Sequence, residues 1–138
     1  MQTFRFTVYG EPVAKGRPKF VRATGRTYTP KKTVEYENLV RLSFIEKYKG
    51  EKLTGEIAAT IIAYFSIPKS ESKKTKEKMI AGTMLCAKKV DCDNVAKSVL
   101  DALNDIAYDD DKQICRLCVE KRYSDTPRVE VILGEIEH

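Results

Sequence analysis

The sequence predicts an α+β fold: a single domain over residues 1–138, with a mixed β-sheet of four or five strands and two main helices packed on it. Three observations carry this expectation. Stretches that alternate apolar and polar residues open and close the chain, as half-buried strands do. Two segments between them repeat apolar residues at helical spacing. A length of 138 residues leaves room for one hydrophobic core and no second.

Residues 3–9 (TFRFTVY) place Phe4, Phe6 and Val8 on one face of a strand that Gly10-Glu11-Pro12 ends. In residues 13–30, Lys15, Arg17, Lys19, Arg22 and Arg26 are interspersed with glycines, proline and aromatics. By composition this is a solvated loop. It is also what a phosphate-tracking loop needs, because glycine lets the backbone approach and arginine offers a planar fork. Phe20 and Tyr28 are expected to pack into the core rather than stack on a base. Thr29-Pro30 marks a helix start, with threonine as cap and proline in the first turn. Tyr36, Val40, Phe44 and Tyr48 then recur every fourth residue until Gly50, which describes a packing helix with no chemistry of its own.

Residues 56–65 (EIAATIIAYF) are apolar on both faces and read as a central strand. Residues 66–89 predict a short lysine-rich helix, capped by Ser70 and ended near Gly82, then a loop that leaves on Lys88 and Lys89. Such lysines usually mark a solvated face. Lying just ahead of an acidic motif, Lys73, Lys74, Lys88 and Lys89 also suit contact with DNA. Further on, residues 113–123 alternate Cys115, Leu117 and Val119 against Arg116, Glu120 and Arg122. Thr126-Pro127 breaks the chain, residues 128–136 form a last strand, and the two are expected to pair as an antiparallel hairpin.

The chemistry lies between these parts, in VDCDNVAKSVLDALNDIAYDDDKQI, residues 90–114. On a helical wheel Asp93, Asn94, Lys97, Ser98, Asp101, Asn104 and Asp105 form one arc, and Val95, Ala96, Val99, Leu100, Ala102, Leu103 and Ile106 form the other. Lys97 lies one turn from both Asp93 and Asp101. In the ordinary reading Asp91 or Asp93 caps the helix, Lys97 makes surface ion pairs, and Asp109, Asp110 and Asp111 form a solvated turn. Capping needs one acid, however, and a turn does not need three. Carboxylates packed together repel and raise each other's pKa unless a cation sits among them. A cluster that converges therefore implies a metal, and hard oxygen donors with no nearby histidine favour Mg²⁺ or Mn²⁺ over zinc. Convergence requires the turn at residues 109–111 to fold back near the first turn of the helix.

Charge is unevenly spread: residues 1–49 carry +7, residues 50–90 carry +4 and residues 91–138 carry −6. Basic ground around an acidic cluster suits a polyphosphate substrate, held by lysine and arginine and cut beside a carboxylate-bound metal. No stretch approaches the ~20 apolar residues of a membrane span, and the opening residues do not resemble a signal peptide, so a cytoplasmic protein is expected. Cys115 and Cys118 form a Cys-x-x-Cys pair, but in a strand-like run where residues three apart face opposite ways, unlike the tight turn that zinc pairs prefer. With Cys86 and Cys92 they are expected to be reduced thiols.

Other aspartate motifs fail on detail. A calcium loop from Asp91 would need glycine at Ala96 and glutamate at Ala102. The haloacid-dehalogenase Asp-x-Asp should end an apolar strand, where Lys88 and Lys89 stand instead. The restriction-enzyme pattern separates acid and lysine by one residue, whereas Glu120 and Lys121 are adjacent.

The chain does resemble the RusA family of Holliday-junction resolvases, crossover junction endodeoxyribonucleases. The likeness runs through Gly10-Glu11-Pro12, Lys15-Gly16-Arg17-Pro18-Lys19-Phe20, Tyr28-Thr29-Pro30, the Asp91-Cys92-Asp93-Asn94 box, Lys97, Leu100-Asp101-Ala102-Leu103 and Asp110-Asp111-Lys112-Gln113-Ile114. It implies metal-binding catalytic aspartates at Asp91, Asp93 and Asp111, with Lys97 as a catalytic cation. It also implies Mg²⁺ (Mn²⁺ possible), no nucleotide cofactor, no membrane, and a homodimer that nicks four-way DNA in symmetric pairs. Lys15, Arg17, Lys19, Arg22, Arg26, Lys73, Lys74, Lys88 and Lys89 are the expected DNA contacts. The alternatives are a non-catalytic DNA-binding protein and a nuclease for other branched DNA, such as flaps or forks.

Overall fold

Alternation in β1 (Thr3–Tyr9) buries Phe4, Phe6 and Val8 and turns the residues between them outward, in the computed structural model, which describes residues 2–88 and 90–138. In β4 (Ile57–Ser66) one face, Ile57, Ala59, Ile61, Ala63 and Phe65, is buried and the other is half-buried. With β5 (Ile114–Ser124) and β6 (Arg128–Glu135) they form a four-stranded sheet in the order β1-β6-β4-β5. The β4–β5 pair is parallel and the others are antiparallel, so the sheet is mixed as expected.

Three helices accompany it: α1 (Lys31–Ile45), α2 (Lys73–Ala81) and α3 (Cys92–Ala102). Tyr36, Val40 and Phe44 of α1 and Val95, Val99 and Leu103 in and just after α3 join the buried strand residues in one core. Phe44 meets the edges of Phe4 and Phe6, with ring centroids 5.2 and 5.5 Å apart. The two layers are thus sheet and helices, and the domain is α+β.

Several local expectations are corrected. The last two strands are not a hairpin: β4 lies between them. Adjacent strands are about 4.8 Å apart, so the three residues Asp125, Thr126 and Pro127 can carry the chain across the end of one strand. β4 then gains a partner on each edge. The basic stretch is not a plain loop but a ribbon of β2 (Lys19–Val21) and β3 (Arg26–Tyr28), turning at Gly25 with φ +67°. Phe20 and Tyr28 are 63 % and 51 % exposed rather than buried, because a two-stranded ribbon clear of the sheet has no core within their reach. Pro30, not Thr29, is the cap residue of α1, and its carbonyl accepts from the N–H groups of Thr33 and Val34. Ser72, not Ser70, caps α2 by accepting from the Thr75 N–H at 3.2 Å, and Gly82 closes the helix at φ +80°. All four cysteines are free, with Cys115 and Cys118 exposed on β5.

The main helix is shorter than its pattern suggests. It ends at Ala102, and Asn104 and Asp105 belong to a turn in which Asp105 takes φ +63°, a conformation aspartate tolerates better than most residues. The return is fixed by Tyr108, fully buried, whose hydroxyl donates to the Leu100 carbonyl at 2.6 Å. Leu53 N–H holds the same loop through the Ala107 carbonyl at 2.8 Å. Tyr108→Phe should therefore lower stability by about 1 kcal/mol, the usual worth of one such bond. Urea unfolding with an unchanged slope would show it.

Candidate active site

α3 opens on Asp91, its cap residue, and Asp93 in its first turn. Among the described residues the Asp91 side chain makes no capping hydrogen bond, so capping does not explain it. Both carboxylates are exposed. Lys97 is exposed one turn further on and makes no ion pair among the described residues, so the ordinary reading of surface ion pairs does not describe it.

The three consecutive aspartates beyond the helix do three different things. Asp109, largely exposed, pairs with Lys52 at 3.0 Å. Asp110 caps the short 3₁₀ turn Asp111–Gln113: it accepts from the Lys112 N–H at 2.9 Å, while the Gln113 side chain accepts from the Asp110 N–H at 3.1 Å. The Lys112 N–H, with help from Asp111 and Lys112, holds the Asp110 carboxyl below its ordinary range. Asp111 is left for other work. Its N–H is held by Asn104 Oδ1 at 2.9 Å, and its side chain is half-buried.

A cleft of about 250 Å³ runs along α3, lined by Asp93, Ala96, Lys97, Leu100, Asp101, Asp111 and, from β5, Leu117. Asp93 and Asp111 thus share it with Lys97. Asp111 has two acidic neighbours, Asp110 before it in the chain and Asp101 across the cleft. Burial, then Asp110 and Asp101, push the Asp111 carboxyl above its ordinary range. The bond from the Asp111 N–H to Asn104 Oδ1 ties the turn to the chain just past the end of the helix, while Asp93 of the first turn lines the same cleft. Eight residues of helix separate Asp93 from Asp101, about 12 Å along the axis. Asp91 is not part of the cleft lining, and among the described residues no three acidic, histidine or cysteine side chains stand close enough to hold one ion.

Asp101 was missed as a site residue by sequence reasoning, although the polar arc of the wheel contained it. Its partner Lys15, expected on DNA, lies 3.3 Å from Asp101 and 2.6 Å from Glu37 on α1. Burial disfavours the Lys15 ammonium, but Glu37 and then Asp101 outweigh it and raise its pKa. Glu37 also means that α1 is more than a packing helix. Arg17, Lys19, Arg22 and Arg26 project from the ribbon and are exposed. Lys73 and Lys74 are exposed in the first turn of α2, and Lys88 lies 3.6 Å from Glu11. Lys89 falls outside the described residues.

The cleft thus brings carboxylates and a lysine together, with the exposed basic ribbon rooted beside it. The chain belongs to the RusA family of endodeoxyribonucleases, whose pattern it matches over residues 9–134. It is also 40% identical over 140 residues to YqaN of Bacillus subtilis, described as an uncharacterized protein, with 99% of each chain covered.

The raised Asp111 carboxyl has a consequence for stability. Below the unfolded value near 3.8 both states hold the proton and the cost of the buried, repelled charge is absent; it grows as pH rises from there to the higher folded value and is complete above it. Asp111→Asn should thus unfold at higher urea than the parent at neutral pH, with the gap closing in acid. Urea midpoints across the pH range test this.

Proposed function

We propose that this chain is an Mg²⁺-dependent, structure-specific endodeoxyribonuclease that resolves Holliday junctions by paired symmetric nicks in DNA recombination and repair. The observation that carries the reading is the shared cleft: Asp93, Lys97, Asp101 and Asp111 line one groove, in which Lys97 makes no ion pair among the described residues. The family membership supplies the reaction class.

The donor set fits a hard divalent cation by its chemistry, since it holds carboxylate oxygens only and Asp111 stands among like charges that a cation would relieve. By the family likeness the residues that would hold Mg²⁺, or Mn²⁺ in its place, are Asp91, Asp93 and Asp111, which would have to draw together on the ion, since no three acids among the described residues stand close enough as they are. When bound, such an ion activates water and neutralises charge building on the phosphate. Lys97 supports the same step by offering its ammonium to the phosphate oxygens. Arg17, Lys19, Arg22 and Arg26 hold the DNA backbone, with Lys73, Lys74, Lys88 and Lys89 as further phosphate contacts. Phe20 and Tyr28, exposed on the ribbon, offer rings on which an unpaired base at a branch point can stack. A homodimer suits a junction with two-fold symmetry, presenting one site to each opposed strand. No described helix is long and apolar enough to cross a membrane, and action in the bacterial cytoplasm accords with the family and the Bacillus relative.

Asp91→Asn, Asp93→Asn, Asp111→Asn and Lys97→Met should each reduce nicking of a synthetic four-way junction by roughly a hundredfold or more. The three asparagine variants should bind the junction as tightly as the parent or tighter, since phosphate repulsion falls. Asp91→Asn nicking at the parent rate would remove that residue from the site. Flaps and forks run beside the junction decide selectivity, and binding without any metal-dependent product would favour a non-catalytic DNA-binding protein.

A further inference from the structure

The segment between β1 and the ribbon is clamped on both sides. Ser98, fully buried in α3, donates to the Val13 carbonyl at 2.8 Å, and the Lys15 N–H donates to the Asn94 carbonyl at 2.8 Å. On the α1 side the Gly16 N–H donates to Thr33 Oγ1 at 3.0 Å. A Cβ at Gly16 would stand 2.7 Å from that oxygen and 3.0 Å from Pro30 Cγ, so the close approach needs glycine. The clamp delivers the Lys15 ammonium into the gap between α1 and α3, with the Lys15 side chain only 20% exposed and Glu37 at 10%.

We propose that Lys15 is a positioning residue for the nuclease site and not a phosphate contact: anchored by Glu37, its ammonium holds the Asp101 carboxylate in the cleft beside Asp111. This rests on the nuclease reading above. A lysine that binds DNA must present its charge to solvent, whereas Lys15 spends its charge on two carboxylates. Turning it outward would strand Glu37 without its cation, a costly state for a buried acid. Asp101 and Asp111 line the same cleft, and without an opposing cation two neighbouring carboxylates separate. The basic stretch therefore divides, with its first cation serving the cleft from inside and Arg17, Lys19, Arg22 and Arg26 left to face the nucleic acid.

The test compares Lys15→Met, Glu37→Gln and Arg22→Ala for junction affinity, its salt dependence, and nicking at saturating junction with Mg²⁺. Lys15→Met and Glu37→Gln are expected to keep the parent affinity and salt slope while the saturated rate falls about tenfold, within the roughly hundredfold that an ångström of misplacement can cost. Lys15→Arg, which keeps the charge, recovers most of that rate. Arg22→Ala should do the opposite, weakening binding and reducing the salt slope by about one. The proposal is overturned if Lys15→Met behaves like Arg22→Ala, or if Glu37→Gln leaves the saturated rate unchanged. Should Lys15→Met fail to fold, the double variant Lys15→Met/Glu37→Leu, which buries no unpaired charge, takes its place. If the parent nicks no branched DNA with either metal, the nuclease reading fails, and the position of Lys15 is still decided. A lysine ammonium NMR signal in slow exchange with water, lost in Glu37→Gln, supports the inward placement; a fast-exchanging signal with a reduced salt slope in Lys15→Met overturns it.

Discussion

The hydrogen bond from the Tyr108 hydroxyl to the Leu100 carbonyl is the contact on which the arrangement of the site depends. The phenol lies in the core under the end of α3, where an unpaired hydroxyl would be costly. Once it is satisfied, the chain after the helix must return along the helix that it has just left. That return places Asp111 beside Asp101 and starts β5 where it can run parallel to β4.

Two of the three consecutive aspartates are consumed in making this turn. Asp110 and Gln113 cap each other's backbone, Gln113 also donates to the Gly55 carbonyl at 3.0 Å, and Asp109 is tied to Lys52. The turn is then rigid enough to hold a carboxylate against a like charge at Asp111. Like-charged groups kept together at the expense of stability are found at functional sites as well as in structural ion-pair networks. A surface of ordinary acids would relax by turning them into water.

The basic stretch shows the same division between scaffold and function. Val13, Lys15 and Gly16 are stitched to α1 and α3, so the ribbon that follows springs from a fixed base. Beyond that base, the ribbon keeps its arginines and its aromatics in solvent. Its exposure is what gives these side chains access to a partner. Had Phe20 and Tyr28 reached the core, the ribbon would have lain flat on the domain.

The periodicities of β1, β4 and α3 and the acid box were legible in the sequence because each is local: a strand alternates and a helix repeats whatever lies beside it. That is enough to identify the α+β class and the central place of β4, while the roles expected of Asp91, Asp93, Lys97 and Asp111 came from the resemblance of the acid box to the RusA family. What only the tertiary structure decided were the relations between elements: that β4 separates β5 from β6, that Asp111 shares one cleft with both Asp93 and Asp101, and that Lys15 pairs with Glu37 and Asp101. Each depends on contacts between residues distant in the chain, Glu37 with Lys15 or Tyr108 beneath α3. Such contacts are chosen by how the buried faces pack together, and no period within a single segment records them.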